Sequence, residues 1–268
     1  MISLFIRLQR LFIKLLGVTL KLISYVVYLF LPRLRFEIPG YAPARLPSKP
    51  VSQIPSIIWQ TNFTSRVTLP IFLNYLFNRL LSTGADHRFV TTEEREAFIA
   101  SNFGERESRA YKRLQIGAAQ ADFWRVAVLY QHGGVYLDID AHLVRSLNDV
   151  IRGRQEVFLL TRDGEITNYF IASAPQNPKL RAILDTFVTN IEQRSSDNVY
   201  ELTGPGVFNA LLSPASCETD LHWRTCNQGT FTNEYFQYLD RPGGKWTRQQ
   251  SSLKVISERT PNEGDFER

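Results

Sequence analysis

Residues 121–140 read ADFWRVAVLYQHGGVYLDID, a helical pattern followed by a Gly-Gly break and a short apolar strand with two aspartates. Asp138 and Asp140 lie one residue apart in this apolar run, where an unpaired buried carboxylate is costly. Side chains in a strand alternate between faces, so both carboxylates are predicted to point one way while Ile139 points into the core. The strand therefore either ends in solvent or brings both aspartates to a positive ligand.

Two carboxylates on one face of a strand end suit a hard divalent cation such as Mn²⁺ or Mg²⁺. Mg²⁺ is usually held by one or two carboxylates together with substrate phosphates, so a bound diphosphate would complete the site. Gly133 and Gly134, just upstream, permit close approach of the backbone to a ligand. A bare D-x-D also occurs at strand ends that are merely solvated, and the pattern alone leaves both interpretations open.

The surrounding sequence predicts alternating strands and helices. The predicted strands cover 56–61, 87–90, 135–144, 157–162 and 169–174. The predicted helices cover 70–81, 92–103, about 106–130 and 180–194. Such alternation favours an α/β sheet with helices on both faces. Ligands of these sheets bind beyond the carboxyl ends of the strands, which is where the two aspartates fall.

Positive charge is concentrated at the N-terminus. Six of the 31 Lys and Arg residues lie in the first 36 positions, which contain no acid, so the rest of the chain holds 25 basic and 26 acidic residues. A nucleic-acid surface would place its basic residues on the folded domain. We therefore predict no nucleic-acid partner.

A narrow polar stripe runs along residues 1–32 at steps of three and four: Ser3, Arg7, Arg10, Lys14, Gly17, Lys21 and Ser24. Because most other residues there are large and apolar, the pattern predicts an amphipathic helix in the membrane interface, with its basic face toward the headgroups. A spanning anchor and a soluble packing helix are the alternatives, and the longest uncharged run, 22–32, is shorter than the roughly 18 residues of a spanning segment. The proline-rich residues 33–53 predict a linker, and the globular domain is expected over 54–268.

Four stretches, in order along the chain, resemble glycosyltransferase family 32. The stretch 121–140 matches the family pattern A-D-x-x-R followed by G-G-x-Y-x-D-x-D. IPSIIWQT (54–61) resembles the family's opening segment, NYFIASAPQNPKL (168–180) a later asparagine-proline segment, and LTGP (202–205) its T-G-P turn. On these matches the chain is identified as a member of this family, which includes outer-chain mannosyltransferases and bacterial capsule and lipopolysaccharide enzymes.

The resemblance implies a GT-A fold, which is a nucleotide-sugar-binding α/β fold with a mixed central sheet. It also implies retaining transfer of a hexose with Mn²⁺ or Mg²⁺ as cofactor. By resemblance, Asp140 ligates the metal, and Asp138 contacts the ribose or reaches the metal through water. Asp122 and Arg125, at i and i+3 on the preceding helix, are expected to contact the donor sugar, and an intrahelical salt bridge is the alternative for this pair.

Further donor-site residues are expected around the nucleotide and the sugar: Trp59, Gln60, Thr61, Gly133, Gly134, Tyr136, Asn168 and Trp246. Trp59 stands where many members have His and is expected either to stack on the base or to pack in the core. Members usually carry a His-rich segment before a C-terminal Trp. YLDRPGGKW (238–246) keeps the Trp but has no His. Asp240 is the candidate third metal ligand, and pairing of Arg241 or Lys245 with the diphosphate is the alternative.

The expected function is transfer of a hexose from a nucleotide-diphosphate sugar to a glycan or glycolipid acceptor at a membrane surface. Bacterial lipopolysaccharide or capsule synthesis at the cytoplasmic face of the inner membrane is the expected setting. A fungal secretory-pathway mannosyltransferase on the lumenal side of the Golgi membrane and a non-catalytic sugar-nucleotide-binding membrane protein are the alternatives. A dehalogenase-type phosphatase is disfavoured, because its D-x-D lies near the start of the domain.

Overall fold

The computed structural model describes residues 2–46 and 51–258 of the 268-residue chain. The strands, in chain order, are β1 Phe36–Glu37, β2 Tyr41–Ala42, β3 Ile57–Thr61, β4 Arg66–Val67, β5 Asp86–Val90, β6 Gly134–Leu137, β7 Ala141–Leu143, β8 Glu156–Leu160, β9 Ile166–Ser173, β10 Thr219–Leu221 and β11 Cys226–Gln228. The helices are α1 Ile2–Phe30, α2 Leu69–Leu81, α3 Thr92–Asn102, α4 Glu105–Arg113, α5 Gly117–His132, α6 Leu147–Ile151, α7 Pro178–Gln193, α8 Val199–Leu202, α9 Pro205–Leu211, α10 His222–Thr225, α11 Glu234–Gln237 and α12 Trp246–Ser252. A 3-10 turn covers Pro214–Ser216.

Seven strands form one mixed sheet in the order β10-β8-β9-β6-β3-β5-β2. The central strands β6, β3 and β5 run parallel to one another, whereas β9 lies antiparallel between β6 and β8. Strand β2 is an antiparallel edge strand beside β5. Because parallel strands end at the same edge of a sheet, the residues that follow β3, β5 and β6 meet there.

The two faces of the sheet carry separate cores. Tyr136 of β6 belongs to one core, with Phe123 of α5 and Phe187 of α7. Val135 and Leu137 of the same strand point to the other face and belong to a second core together with residues of α6. The predicted α/β fold, with a mixed sheet and helices on both faces, is confirmed.

Two predicted elements are shorter than the sequence suggested. The single helix over 106–130 is wrong, because α4 and α5 are separated at residues 114–116, where Leu114 forms a β-bridge with Ile256. The single strand over 135–144 is also divided. The Ala141 N–H donates to the Asp138 carbonyl at 3.0 Å, and β7 then leaves the main sheet to pair with β11.

Helix α1 docks on the domain along one side, where Ile6, Ile13, Gly17, Ser24 and Tyr28 are buried. Part of the predicted polar stripe therefore faces protein, which corrects the expectation that the whole stripe faces lipid headgroups. Large apolar side chains are exposed along the outward side: Leu4, Phe5, Leu8, Leu11, Phe12, Leu15, Leu22, Ile23, Val26, Leu29 and Phe30. By length and composition, residues 4–30 would suffice to cross a membrane.

The segment predicted as a linker contributes to the domain over its described part. Phe36–Glu37 pair with Arg66–Val67, and Tyr41–Ala42 form the edge strand of the main sheet. Residues 47–50 of the predicted linker lie outside the described residues. The chain between α1 and β3 is therefore tied to the domain by backbone hydrogen bonds, which a free tether would lack.

Candidate functional site

A cavity of about 700 Å³ opens at the edge of the sheet where β3, β5 and β6 end. One wall, the sheet wall, consists of residues that follow these strands and of residues on α5 and β9. The opposite wall, the C-terminal wall, consists of cavity-lining residues from Gln228 to Gln249. The location agrees with the general position of ligand sites in α/β sheets.

Asp138 and Asp140 lie on the sheet wall and converge on one side chain of the C-terminal wall. The Gln228 Nε2 donates to Asp138 Oδ2 at 2.9 Å and to Asp140 Oδ1 at 3.2 Å. Strand β11 places it there, because Gln228 pairs with Ala141 in the β7–β11 ladder. The Tyr136 hydroxyl donates to the other Asp138 oxygen at 2.6 Å.

A second group of polar residues lies beside the aspartates. Arg125 Nη2 is 3.0 Å from Asp122 Oδ1 and 3.4 Å from Asp138 Oδ1. Its Nη1 donates to the Asn168 carbonyl at 2.7 Å, and the Asn168 amide donates to Asp122 at 2.9 Å. The guanidinium also lies over the ring of Tyr136, 4.3 Å from its centroid. These bonds hold the carboxylate and the guanidinium in fixed positions at the cavity.

Burial sets the electrostatics of both carboxylate groups. Burial, followed by the charge of Asp138, raises the pKa of Asp140 to about 7. Burial also raises the pKa of Asp122 to about 7, against the opposing effect of Arg125. A carboxyl with a raised pKa gains from a nearby cation when it ionises. The site therefore favours a positively charged ligand.

The donor set fits a divalent cation. Two carboxylate oxygens, one each from Asp138 and Asp140, face the same amide nitrogen, so both are directed at one point. Oxygen ligands of this type are those that Mg²⁺ and Mn²⁺ prefer. Within residues 2–46 and 51–258, no group of three or more His, Cys, Asp or Glu residues forms a metal cluster. A cation here would therefore need ligands from its substrate in addition to the two aspartates.

Comparison with known proteins agrees with this geometry. A family model described as "Glycosyltransferase sugar-binding region containing DXD motif" matches residues 70–158. The chain is 26% identical over 249 residues to the initiation-specific alpha-1,6-mannosyltransferase of Schizosaccharomyces pombe. It is 30% identical over 163 residues to an uncharacterized glycosyltransferase of Acanthamoeba polyphaga mimivirus. The region that holds the two aspartates is thus similar to the sugar-binding region of DXD-containing glycosyltransferases.

The chain spans only about 60% of the length of each of the two curated relatives. The alignments cover 81% and 58% of the chain, and 58% and 63% of the respective relatives. Among solved structures, the PaToxG glycosyltransferase aligns with 16% identity and a TM-score of 0.49, over 92% of this chain and 85% of that one.

The structure places several of the predicted site residues around the cavity. The lining includes Thr61, Asp122, Arg125, Tyr136, Asp138, Asp140, Asn168 and Trp246. Their roles in binding and catalysis stay predictions.

Trp59 does not line the cavity, and its predicted contact with the base needs correction. The indole N–H donates to the Gly133 carbonyl at 2.9 Å, and the ring stacks on His132 with centroids 5.7 Å apart. Trp59 therefore packs between β3 and α5, which is the alternative that the sequence left open. Gln60 is buried at the sheet, where its amide reaches the Asp138 carbonyl at 3.5 Å, and it too lies away from the lining.

The Gly-Gly pair allows a close approach of protein to protein, where the sequence predicted an approach to ligand. A Cβ on Gly133 would lie 2.7 Å from the Pro175 nitrogen, and one on Gly134 would lie 2.7 Å from the Ile57 carbonyl oxygen. Both glycines have positive φ angles, 64° and 102°. They are therefore required for the α5–β6 turn, and neither belongs to the cavity lining.

Asp240 is engaged elsewhere, so its proposed role as third metal ligand needs correction. Its carboxylate forms a two-point ion pair with Arg35, at 2.6 and 2.5 Å. The Arg35 guanidinium lowers the pKa of Asp240. Gln228, which the sequence did not indicate, is the side chain of the C-terminal wall that contacts the aspartates. Its position depends on β11 pairing with β7, and no local motif marks it.

Proposed function

We propose that the protein is a metal-dependent retaining glycosyltransferase. It would move a hexose from a nucleotide-diphosphate sugar to a glycan or glycolipid acceptor at a membrane surface. The observation that carries this proposal is the meeting, in one cavity, of the Asp138–Asp140 pair with the Asp122–Arg125–Asn168 group. The first group suits a cation with its diphosphate, and the second suits a sugar.

Asp122 and Arg125 are the proposed sugar-binding residues. Sugar hydroxyls both donate and accept hydrogen bonds, so an adjacent carboxylate and guanidinium can satisfy both roles. Both side chains are nearly fully buried, at 6% and 5% exposed, and each is held by the Asn168 contacts. Such a fixed arrangement positions the donor sugar without reorganisation during the reaction.

Asp138 and Asp140 are the residues that would hold Mn²⁺ or Mg²⁺. The cation, when bound, supplies positive charge that stabilises the departing diphosphate. The remaining acid of the described cavity lining, Glu234, is paired with Lys245 at 2.8 Å. We therefore propose a front-side displacement, in which the acceptor oxygen attacks on the face that the diphosphate leaves.

The outward apolar side of α1 supports attachment to a membrane. Phe5 and Phe12 are 67% and 65% exposed, in a helix whose other side is docked on the domain. A helix of this kind lies in the interface with its apolar side in the lipid. We propose that the acceptor is lipid-linked and that the setting is polysaccharide or lipopolysaccharide synthesis at the cytoplasmic face of a bacterial inner membrane.

A secretory-pathway mannosyltransferase is the second candidate. It is favoured by the 26% identity with the Schizosaccharomyces pombe mannosyltransferase. A donor screen tests for the mannosyl donor that this candidate requires, and a turnover measurement separates both candidates from a non-catalytic binder.

The test is release of sugar from a panel of nucleotide-diphosphate hexoses by the full-length protein, with Mn²⁺ and after chelation. We expect hydrolysis or transfer with one donor, loss of turnover on chelation, and a drop of about 100-fold or more in Asp138→Ala and Asp140→Ala. Asp149→Ala, an exposed acid outside the cavity, is the control. Unchanged turnover in either cavity variant would contradict the proposal. Binding of a donor without turnover in the wild type would favour the non-catalytic alternative.

A further inference from the structure

Arg95 is a buried cation without a carboxylate partner. It is 3% exposed, and within the described ranges its side chain forms no ion pair with Asp or Glu. One Nη donates to the Thr92 hydroxyl at 2.9 Å, and the Nε has no hydrogen-bond partner. Burial lowers the pKa of this guanidinium. Buried cations are ordinarily paired, so this group points to a ligand that completes its bonding.

The side chain belongs to the lining of the cavity. Two other cations of that lining have partners, since Arg125 contacts Asp122 and Lys245 contacts Glu234. Arg95 thus remains available to a molecule that enters the cavity, on the sheet wall where its position is fixed by burial.

Its place in the fold separates Arg95 from the proposed metal site. Helix α3, which carries Arg95, follows β5, whereas Asp138 follows β6, and β3 lies between these strands. Neighbouring strands are about 4.8 Å apart, so the end of β5 lies about 10 Å from the end of β6. A nucleoside that extends from a diphosphate held at the aspartates toward the end of β5 would therefore approach Arg95.

The lining on this side also suits a flat ring. Gly117, Ala118 and Ala121 at the start of α5 line the same cavity and present little or no side chain. They leave a low surface on which a base can lie.

We propose that Arg95 recognises the base of the nucleotide donor by donating hydrogen bonds to its carbonyl oxygens, and thereby selects guanine or uracil over adenine and cytosine. A guanidinium has only donors. Guanine presents O6 and N7 as adjacent acceptors, a pair that arginine binds in two-point fashion. The exocyclic amino groups of adenine and cytosine are themselves hydrogen-bond donors, so they cannot accept a hydrogen bond from the guanidinium. This inference rests on the proposed function, because it takes the ligand to be a nucleotide sugar.

The test uses calorimetric titration of the full-length protein in detergent with GDP, UDP, ADP, CDP and inorganic pyrophosphate, each with Mn²⁺. We expect the wild type to bind GDP or UDP at least tenfold more tightly than ADP and CDP. Arg95→Met should lose that preference and bind the favoured nucleotide about tenfold or more weakly, with pyrophosphate affinity within twofold of wild type. Arg95→Lys, which keeps the charge but not the paired donors, should also lose the preference. Arg109→Met, an exposed arginine outside the cavity, is the control.

Two outcomes would overturn the inference and one would overturn the proposed function. If the affinities for pyrophosphate and for all nucleotides fell equally, Arg95 would contact the phosphates and not the base. If both variants kept the wild-type selectivity, Arg95 would not contact the base. A wild type that binds no nucleotide would refute the glycosyltransferase proposal itself.

Because an unpaired buried charge is costly, Arg95→Met should fold and should raise the melting temperature of the free protein.

Discussion

The cavity has two walls that are held in place by different parts of the chain. The sheet wall carries Asp122, Arg125, Asp138 and Asn168, and its positions are set by β6, β9 and α5. The C-terminal wall is formed by residues between Gln228 and Gln249, which follow the last strand of the fold. Of the two walls, as far as the structure describes them, only the second has hydrogen bonds and ring contacts with α1; outside the cavity, α1 also packs against α2.

Helix α1 contacts the C-terminal wall at several points. The Lys21 ammonium donates to the Gly229 carbonyl at 3.1 Å. The Tyr25 hydroxyl accepts from the Asn233 amide at 2.7 Å, and its ring lies 4.6 Å from that of Phe236. The same helix exposes its apolar side to the surroundings.

The two walls therefore differ in role: one carries the proposed binding groups, and the other is attached to the proposed membrane helix. The groups proposed to bind sugar and cation are held by the sheet and the helices packed on it. The opposite wall is tied to the helix proposed to enter the lipid. A change in the position of α1 would therefore act first on the C-terminal wall, and would reach the aspartates through their hydrogen bonds with Gln228.

The largest expected effect concerns the sheet wall. Arg125→Met leaves Asp122 and Asp138 without their cation, so we expect turnover to fall by about 100-fold or more and unfolding free energy to fall by about 3 kcal/mol. The measurements are donor hydrolysis and urea unfolding. Arg106→Met is the matched control, because its ion pair with Glu192 is exposed to solvent and should contribute little to stability. Equal effects of the two substitutions would show that Arg125 in the cavity contributes no more than an exposed arginine, and would contradict its proposed role.

The protein should also lose stability at mildly acid pH, because of a buried histidine on strand β5 of the sheet. Burial first, and then the charges of Arg79 and Arg45, lower the pKa of His87 on β5 to about 3. Below the unfolded-state pKa of about 6.5 the unfolded chain takes up a proton that folded His87 does not, so stability falls as pH decreases. Between pH 7.5 and 5.0 this amounts to about 2 kcal/mol.

Urea unfolding of wild type and His87→Leu at both pH values tests this expectation. The variant should lack about 2 kcal/mol of the wild-type pH dependence, since all other titrating groups are common to both proteins. The Ser82 hydroxyl, which contacts His87 at 2.7 Å, keeps its bond to the Asn78 carbonyl in the variant. Parallel pH dependences would show that His87 is protonated equally in the folded and unfolded states.

A smaller effect is expected where the C-terminal wall meets the aspartates. Gln228→Glu adds a third carboxylate beside Asp138 and Asp140, which should increase Mn²⁺ affinity about tenfold, because ligand charge raises the affinity of such sites. Calorimetric titration with Mn²⁺ measures this change. Gln249→Glu adds the same charge elsewhere on that wall and should leave affinity within about twofold. An unchanged affinity in Gln228→Glu would mean that the cation does not bind between the two aspartates.

The two walls also differ in how far they could be predicted. Asp122, Arg125, Asp138 and Asp140 fall within twenty consecutive residues, so a local pattern was enough to place them on neighbouring elements. Gln228 comes to the aspartates only through the β7–β11 pairing, a long-range contact without a local motif. The break between α4 and α5 has the same origin, since it depends on a bridge to the distant C-terminal segment. Local periodicity predicted the layers of the fold, and the distant pairings that complete the cavity were beyond it.

The smallest expected effect tests the connection between α1 and the C-terminal wall. A Cβ on Gly17 would lie 2.6 Å from Thr230 Cγ2 and 2.7 Å from the Thr230 carbonyl oxygen, so Gly17→Leu must displace the helix or the wall. We expect donor turnover to fall about threefold, as a small misplacement of a cavity wall lowers activity. Amide hydrogen exchange across 229–236 should rise, because these residues lose packing. Thr19→Leu, on the exposed side of the same helix, should change neither quantity. If Gly17→Leu left both unchanged, the C-terminal wall would hold its position without α1, and the seating of the helix would have no effect on the cavity.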